Sequence, residues 1–474
     1  QQGKHGIGTE PVVAHINHKE VCQMPCCNHI LTELEPVIQD AVERLRCENT
    51  LAAMVLVAFQ FARQVAVILV QEVLSERAQQ RTEWPRCPKC NASLHSKGLR
   101  GRSVMTIIGL VKWNRQVGRC PNGCKVEEAA PFDVALGLLP NQRTSNELKR
   151  VACALSIFVP FSTASLLLQY ISGIMISAGT IWKWVEQAGD AAMKDLQQKL
   201  KSLEEGNTHD EHVEPAVADF PLVLGADGVM VPFRPNKGNP KGRTVWHEVK
   251  VGIVTRLIEE VKRGRKVVTR LTARRLVAVL GDIDALQLRL RWLAITQGLL
   301  TARRVVWISD GARGLWRIYE TSFASHAKGI LDFYHAAQHL WQGVQDRFGG
   351  PTVKAYAWFS ELRHKLRHGE HCAVIDDIQR ALQLTGLPRN ARESLSKLYA
   401  YLVTHKEHLD YKKMKQLGMP IGSGMVESAC KWLIQQRFKG VGMRWSEDGF
   451  NHLLHLRLAW VNGTFDSFFS SPKS

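Results

Sequence analysis

The sequence predicts a multidomain α+β protein. With 474 residues, the chain is long enough for two to four domains, each with its own buried core. Residues 140–205 and 351–415 carry apolar side chains at helical spacing, whereas the region from residue 216 contains short apolar runs typical of strands. A switch between these two periodicities along one chain predicts helical and sheet-containing regions in sequence.

The same change of pattern divides the chain into six regions. No internal repeat or low-complexity tract interrupts them. We expect an N-terminal helical region, residues 1–83; a cysteine-containing region of short strands, 84–131; a helical region, 140–205; a strand-rich region, 216–345; a helical insertion, 346–415; and a final helical region, 416–474.

The charge is strongly positive. Lysine and arginine number 62 against 44 acidic residues, which gives a net charge of +18 and a pI of about 9.5. Such a surplus favours a polyanionic partner, most simply nucleic acid, although ribosomal and membrane-surface proteins share it.

The longest apolar stretch is residues 51–70, "LAAMVLVAFQFARQVAVILV". Gln60, Arg63 and Gln64 lie near its centre, where a bilayer would penalise them. We therefore expect a buried or dimer-forming amphipathic helix that begins at Asn49 or Thr50. No signal-peptide pattern precedes it. The eleven cysteines are odd in number and unevenly spread, which suits a reducing cytosol, so we expect a cytoplasmic protein.

Two cysteine pairs predict a structural zinc site. Cys87 and Cys90 form one C-x-x-C pair, and Cys120 and Cys124 follow after 29 intervening residues. The segment between the pairs alternates like a hairpin with a turn near Gly109, which would bring four thiolates to one ion. The alternative is four buried cysteines without metal. Four thiolates fill a tetrahedral shell, so a zinc ion there would be structural.

A second cysteine- and histidine-containing cluster lies near the N-terminus. Its spacing is irregular, so a leader segment without metal is the simpler interpretation and a second metal site the alternative. Its members are His15, His18, Cys22, Cys26 and Cys27.

Residues 161–187 predict a helix-turn-helix. A helix from Phe161 ends at Gly173, and a second helix begins at Ser177. In a DNA-reading arrangement, Thr180 and Lys183 would face the groove, whereas many helical hairpins bind nothing. Arg100 and Arg102 near the cysteine pairs are further candidate DNA contacts.

Three acids lie in unusually apolar surroundings. Asp227 and Asp310 each follow an apolar run and precede a glycine, and Glu427 lies in a helix that follows "GSG". A carboxylate in such a place is costly unless it is paired, hydrogen-bonded or metal-bound. Two strand carboxylates and one helix carboxylate suit a pair of Mg²⁺ ions that serve phosphoryl transfer. Asp282 and Asp284 are competing acids, which we interpret as a helix cap and turn.

These residues resemble the catalytic set of the DDE transposases of bacterial insertion sequences. The likeness is most specific in "GSGMVESACK", residues 422–431, and "GMRWS", residues 442–446, and it includes the D-x-x-H motif of Asp332 and His335. Within that family, the sequence resembles most the group whose members carry a zinc ribbon and are related to the Mutator-like superfamily. The resemblance covers residues 84–460.

The resemblance implies an RNase H-like α/β catalytic core with a helical insertion between Asp310 and Glu427. It implies two Mg²⁺ or Mn²⁺ ions held by Asp227, Asp310 and Glu427, with structural zinc elsewhere. The expected partner is double-stranded DNA, as terminal inverted repeats and target DNA, and the expected assembly is a homodimer or larger homo-oligomer near the bacterial nucleoid. The reaction would be strand cleavage followed by strand transfer.

Several roles stay open at this stage. His335 either orients a carboxylate, contacts the scissile phosphate, or is a core histidine. Lys431 lies four residues after Glu427 and either holds a phosphate or forms an i,i+4 ion pair. The basic residues that continue this surface and complete the candidate DNA contacts are Arg437, Lys439 and Arg444.

Two rival functions fit parts of this pattern. A structure-selective nuclease of the same fold would cut DNA without joining it. A domesticated, non-catalytic protein would bind DNA through the zinc ribbon and the helix-turn-helix alone. The presence of all three acids, Asp227, Asp310 and Glu427, argues against the non-catalytic protein, whereas only a strand-transfer assay separates the nuclease from the transposase.

Overall fold

The computed structural model describes residues 25–126, 128–207, 215–235, 242–263 and 266–470. The chain divides into two compact units. One comprises Gln1–Val151, Leu168–Met175 and Ser471–Ser474, and the other comprises Ala152–Leu167 and Ile176–Ser470. Helices and strands are both present, so the predicted α+β class is confirmed at that level.

The first unit contains a helical hairpin and a strand hairpin. Helices α1 (Pro25–Cys47) and α2 (Leu51–Ala78) precede strands β1 (His95–Thr106) and β2 (Gly109–Arg119) and the short helix α3 (Pro131–Ala135). The Thr50 hydroxyl accepts a hydrogen bond from the N–H of Ala53 and caps α2, as predicted. The β1–β2 turn lies at Gly109, whose φ of +144° favours glycine.

Helix α2 differs from the expectation of a buried helix. Much of its apolar surface is exposed, including Leu51, Val55 and Leu69. By length and composition alone it is also the one helix in the described part of the chain that satisfies a membrane-span criterion. Lys112 of β2 donates its backbone N–H to the Gln71 side chain at 2.8 Å, so α2 packs on the strand hairpin.

Four helices lead into the second unit: α4 (Asn146–Phe158), α5 (Phe161–Ser172), α6 (Ala178–Glu204) and α7 (Pro215–Ala218). The helix end predicted at Gly173 and the helix start predicted at Ser177 are both present. Gly173 has a φ of +66°, a left-handed conformation that terminates α5. Ser177 caps α6, and its side chain accepts from the N–H of Thr180.

The second unit is built on a five-stranded mixed sheet with the order β5-β4-β3-β6-β7. Strand β3 (Leu222–Phe233) pairs antiparallel with β4 (Val245–Arg263), which pairs antiparallel with β5 (Lys266–Leu280). On its other side β3 pairs parallel with β6 (Val305–Ser309), which pairs parallel with β7 (Lys328–Leu331). Strand β3 therefore lies at the centre, and the C-terminal end of β6 lies beside the middle of β3.

Helices pack around this sheet. Helix α8 (Ile283–Thr296) begins at Asp282, whose side chain caps it as predicted, and α9 (Arg313–Ile318) and α10 (Phe333–Phe348) follow β6 and β7. The expected helical insertion contains α11 (Val353–Arg367), α12 (His371–Leu382), α13 (Arg389–Thr404) and α14 (Tyr411–Gln416). The chain then returns through α15 (Gly424–Ala429), a π-helical segment (Cys430–Gln435), α16 (Gln436–Phe438) and α17 (Glu447–Asn462).

One continuous core joins the sheet to the inserted helices. Leu222, Leu224 and Trp307 of the central strands are fully buried and belong to the same apolar cluster as Leu362 and Leu398 of the insertion. The insertion is therefore packed on the sheet through a common core, which fixes the position of the loops between the sheet and α13.

Candidate active site and metal-binding cysteines

The four predicted cysteines converge. The Sγ atoms of Cys87, Cys90, Cys120 and Cys124 all lie within 4.8 Å of one another, and those of Cys90 and Cys120 are 3.3 Å apart. Zinc–sulfur bonds of about 2.3 Å place tetrahedral sulfurs about 3.8 Å from each other, so this cluster fits one zinc ion. The paired spacing thus predicted the cluster that the fold assembles.

Local backbone geometry builds both knuckles. Asn91 after the first pair and Gly123 within the second adopt positive φ angles of 57° and 67°. These left-handed residues turn the chain tightly enough to aim both cysteines of a pair the same way. The Asn122 amide also donates to the Cys90 sulfur at 3.4 Å.

The four thiols lie close enough to change each other's pKa. A backbone hydrogen bond from Ala92, followed by one from the Cys120 thiol, lowers the pKa of Cys90 to about 6. The thiols of Cys90 and Cys120 raise the pKa of Cys124 to about 12. Thiols this close cannot all ionise unless a cation balances their charge, which is what a divalent metal supplies.

His15, His18 and Cys22 lie outside the described residues, as do the side chains of Cys26 and Cys27. The second-metal alternative stays a prediction.

Asp227 and Asp310 lie on adjacent strands. Asp227 is in β3, and Asp310 directly follows β6, which pairs with β3 in parallel. Both carboxylates are half-buried, and each accepts a local backbone hydrogen bond, from Gly228 at 2.7 Å and from Ala312 at 3.0 Å. Parallel pairing of β3 with β6 brings these two residues, which are distant in sequence, to adjacent positions in the middle of the sheet.

Glu427 approaches the two aspartates on a helix that packs against β3. Its helix α15 packs on β3 at Gly225, where an added Cβ would lie 2.6 Å from Val426 and 2.8 Å from the Ile308 carbonyl. The Glu427 side chain is 43% exposed, and its Oε1 lies 3.7 Å from Nε2 of His335. The predicted D-x-x-H histidine therefore faces the predicted helix carboxylate.

Electrostatics link all four groups. Burial is the main cause that raises the pKa of Asp227, and the negative charges of Asp310 and Glu427 raise it further, while a hydrogen bond from Gly228 and the charge of His335 oppose the shift. An acid whose ionisation is opposed by two like charges favours a cation beside it.

Asp332 joins the two motifs that surround this site. Its side chain is 1% exposed and accepts from the N–H groups of Tyr334 and His335, which caps α10. The same carboxylate accepts from both the backbone N–H and the hydroxyl of Ser423, in the loop before Glu427. The Phe333 N–H donates to the Ile421 carbonyl at 2.9 Å and adds a second link. Asp332 thus fixes the His335 helix and the Glu427 helix to each other.

A cleft of about 240 Å³ opens beside the two aspartates, and its wall contains two residues that sequence reasoning missed. Glu248 and Lys250 of β4 are paired with each other and line this cleft with Asp227 and Asp310. Strand alternation places positions 248 and 250 on one face, yet no motif signalled which face that was.

The glycines that follow the two aspartates are closely packed against other side chains. A Cβ at Gly228 would lie 2.0 Å from the Glu248 carboxylate, and a Cβ at Gly311 would lie 2.1 Å from the Tyr401 ring. Both glycines therefore make room for protein side chains. Gly424 has nothing within 4 Å of an added Cβ, so the open side of the "GSG" loop faces solvent.

The candidate DNA contacts differ in exposure. Arg437 is 2% exposed and its Nε donates to the Ser156 carbonyl at 2.9 Å, so it packs in the core rather than facing DNA. Arg102 is largely buried and pairs with Asp133. Thr180 is half-buried, and its hydroxyl is 2.9 Å from that of Ser177. The exposed candidates are Arg100, Lys183, Lys431, Lys439 and Arg444.

The carboxylates fit hard divalent cations by donor type. Asp227, Asp310 and Glu427 supply oxygen ligands, which Mg²⁺ and Mn²⁺ prefer. Among the described residues, only the four cysteines have all their ligand atoms within 4.8 Å, so the carboxylates are spread more widely. A pair of ions about 3.5–4 Å apart would span a wider ligand set than a single ion.

Comparison with known proteins gives distant relatives. No family model matches the chain. A Streptococcus gallolyticus protein described as "UPF0236 protein in vanSb 3′region" is 25% identical over 358 residues, which cover 72% of this chain and 68% of that protein. Among solved structures, the Drosophila P element transposase strand transfer complex aligns with 12% identity and a TM-score of 0.25, over 68% of this chain and 80% of that chain. At that TM-score the likeness carries no argument about function or fold.

Proposed function

We propose that this protein is a DNA transposase whose Asp227, Asp310 and Glu427 form the catalytic carboxylate set. The observation that carries the proposal is the approach of Glu427 and His335 to the strand pair that holds the two aspartates. The "GSGMVESACK" helix that most specifically resembles DDE transposases is the element that delivers Glu427. We extend the proposal to an RNase H-like core, supported by the mixed sheet with both aspartates on adjacent central strands.

Each residue has a chemical task in this proposal. The three carboxylates hold the divalent ions, which when bound supply Lewis-acid stabilisation of negative charge on phosphate oxygens. His335, when protonated, holds Glu427 toward the cleft by charge. Lys431 is exposed after α15 and is placed to bind a DNA phosphate. The net charge of +18 suits a long DNA footprint in the cytoplasm.

The test uses the purified protein and labelled DNA that carries the ends of the element from which the gene comes. With Mg²⁺, we expect cuts at the junctions between element and flanking DNA. Precleaved ends with a free 3′-OH should then join to a target duplex. Cutting without joining would support the nuclease alternative, and binding without either reaction would support the non-catalytic alternative.

The hydrogen bonds of Asp332 to the His335 helix and to Ser423 predict different losses of activity for three variants. Asp332→Ala should lower end cleavage about 10²-fold and raise the Mg²⁺ concentration needed for half-maximal cutting, because residues that orient metal ligands typically matter by 10–100-fold. Asp332→Asn should lie between Asp332→Ala and wild type, since the amide oxygen still caps α10 but the NH₂ group faces the Ser423 N–H. Ser423→Ala should be mildest, since the backbone bond remains. If all three variants cut DNA ends at the wild-type rate, Asp332 would have no part in the site.

A further inference from the structure

The exposed apolar face of α2 is the largest feature that the proposed function leaves unused. Eight large apolar side chains of this helix are between 37% and 77% exposed: Leu51, Met54, Val55, Leu56, Phe59, Leu69, Val70 and Val73. Single exposed apolar residues are ordinary, but a row of them along one helix marks an interaction surface.

One straight stripe of apolar residues runs along this broad exposed face, and all its members except the half-buried Ala66 are exposed. Leu51, Val55, Ala58, Ala62, Ala66, Leu69 and Val73 follow one another at intervals of three or four positions, which places them on one side of the helix. The stripe contains no charged or polar residue. At 1.5 Å per residue it is about 33 Å long.

The opposite side of α2 is occupied by its own unit. Gln71 accepts the Lys112 N–H of β2, Gln60 accepts from Arg44 of α1, and Val67 lies against Gly109 at the strand turn. Gln60 and Gln64, near the middle of α2, therefore lie on the side away from the stripe, where both remain exposed. A membrane-spanning role would expose these contacts to lipid and break them, which disfavours a bilayer as the occupant.

The order of side-chain sizes along the stripe identifies the partner. Outward from Ala62, the stripe reads alanine and then two large residues in both directions: Ala58, Val55 and Leu51 toward one end, and Ala66, Leu69 and Val73 toward the other. The intervals of four, three and four positions are also the same in both directions. A two-fold rotation about Ala62 therefore sets residues of like size opposite each other along the whole stripe, an arrangement that an isologous pair of helices crossing at Ala62 accommodates.

We infer that α2 pairs antiparallel with α2 of a second copy of this chain, with the two-fold axis at Ala62. Leu51 then meets the partner's Val73, Val55 meets the partner's Leu69, and Ala58 meets the partner's Ala66. The three small central residues allow the helix axes to approach closely, and the large residues at both ends fill the space that remains. Phe59 flanks the stripe and extends the apolar contact.

The first experiment measures assembly. Nuclease-treated protein at high salt, which removes bridging DNA, should sediment at twice 53.3 kDa. Ala62→Glu and Leu69→Glu should each raise the dissociation constant at least about 100-fold, since each buries two unpaired carboxylates in the interface. Val353→Glu changes an apolar residue of α11 that is more exposed, at 86% against 40% for Leu69, and should leave the dimer intact.

The second experiment tests the register by disulfide formation. Ala62→Cys should form a covalent dimer on mild oxidation, because the two copies of position 62 meet at the axis. Val55→Cys alone should not, since the two copies of position 55 would be about 21 Å apart, too far for a disulfide. Val55→Cys with Leu69→Cys should crosslink, and peptide mapping distinguishes these bonds from background at Cys47.

Three results would overturn the inference. These are a monomer at all concentrations, a Val55→Cys self-crosslink, which indicates another register or parallel pairing, and Ala62-dependent flotation with neutral phosphatidylcholine vesicles, which indicates a lipid surface as the occupant. None depends on catalysis, so the dimer can fail while the proposed function stands.

Discussion

Glu427→Gln is expected to lower Mg²⁺-dependent cleavage of DNA ends by about 10³-fold or more while DNA affinity changes little. Glutamine keeps the size of the side chain but is a poorer ligand for a hard cation and loses the charge that faces His335. A metal ion contributes several kcal/mol of charge stabilisation, and each 1.36 kcal/mol is a factor of ten in rate. Asp227→Asn and Asp310→Asn should behave in the same way.

The matched control is Glu393→Gln, which neutralises an exposed glutamate of α13 that pairs with Arg389. Surface ion pairs of this kind contribute little, so cleavage by this variant should equal that of the wild type. Cleavage by Glu427→Gln at the wild-type rate would exclude Glu427 from the catalytic set. Loss of DNA binding by all three variants would instead indicate a folding defect, which circular dichroism and the melting temperature detect.

Removal of zinc is the second change with a large expected effect. Cys87→Ser or Cys120→Ser should reduce bound zinc from one ion per chain to less than a tenth of that, and chelation of the wild type should have the same structural result. Structural zinc sites contribute roughly 10–16 kcal/mol of binding free energy in small peptides, and that energy supports folding. The apolar core around the four cysteines is small: its main apolar neighbours are Leu94, Trp84 and Val126. Without metal, the knuckles have little else to hold them.

Elemental analysis measures the zinc, and limited proteolysis of β1–β2 measures the structure. The control is Cys47→Ser, an exposed cysteine of the same unit outside the cluster, which should retain full zinc content. If β1–β2 resisted proteolysis equally well in the metal-free protein, the four thiols would stabilise the hairpin without an ion. That result would favour the alternative of four cysteines without metal.

The sequence by itself determined the local features. The C-x-x-C pair and its partner 29 residues later predicted the cysteine cluster, because short knuckle turns are set by neighbouring residues such as Asn91 and Gly123. Thr50, Ser177 and Asp282 predicted the helix starts at which they are found, since a cap depends only on the next three residues. The apolar runs that carry Asp227 and Asp310 predicted two strands.

Only the tertiary structure decided what depends on contacts between distant residues. It brought Asp332 into contact with Ser423, 91 positions later in the chain. It also packed other side chains against Gly228 and Gly311 and buried Arg437 among core residues. It also exposed the α2 stripe, because hydropathy gives the same reading for a helix that is buried in its own chain and for one that faces outward. Burial and partner choice are properties of the packed chain, and no local pattern encodes which of two apolar faces remains uncovered.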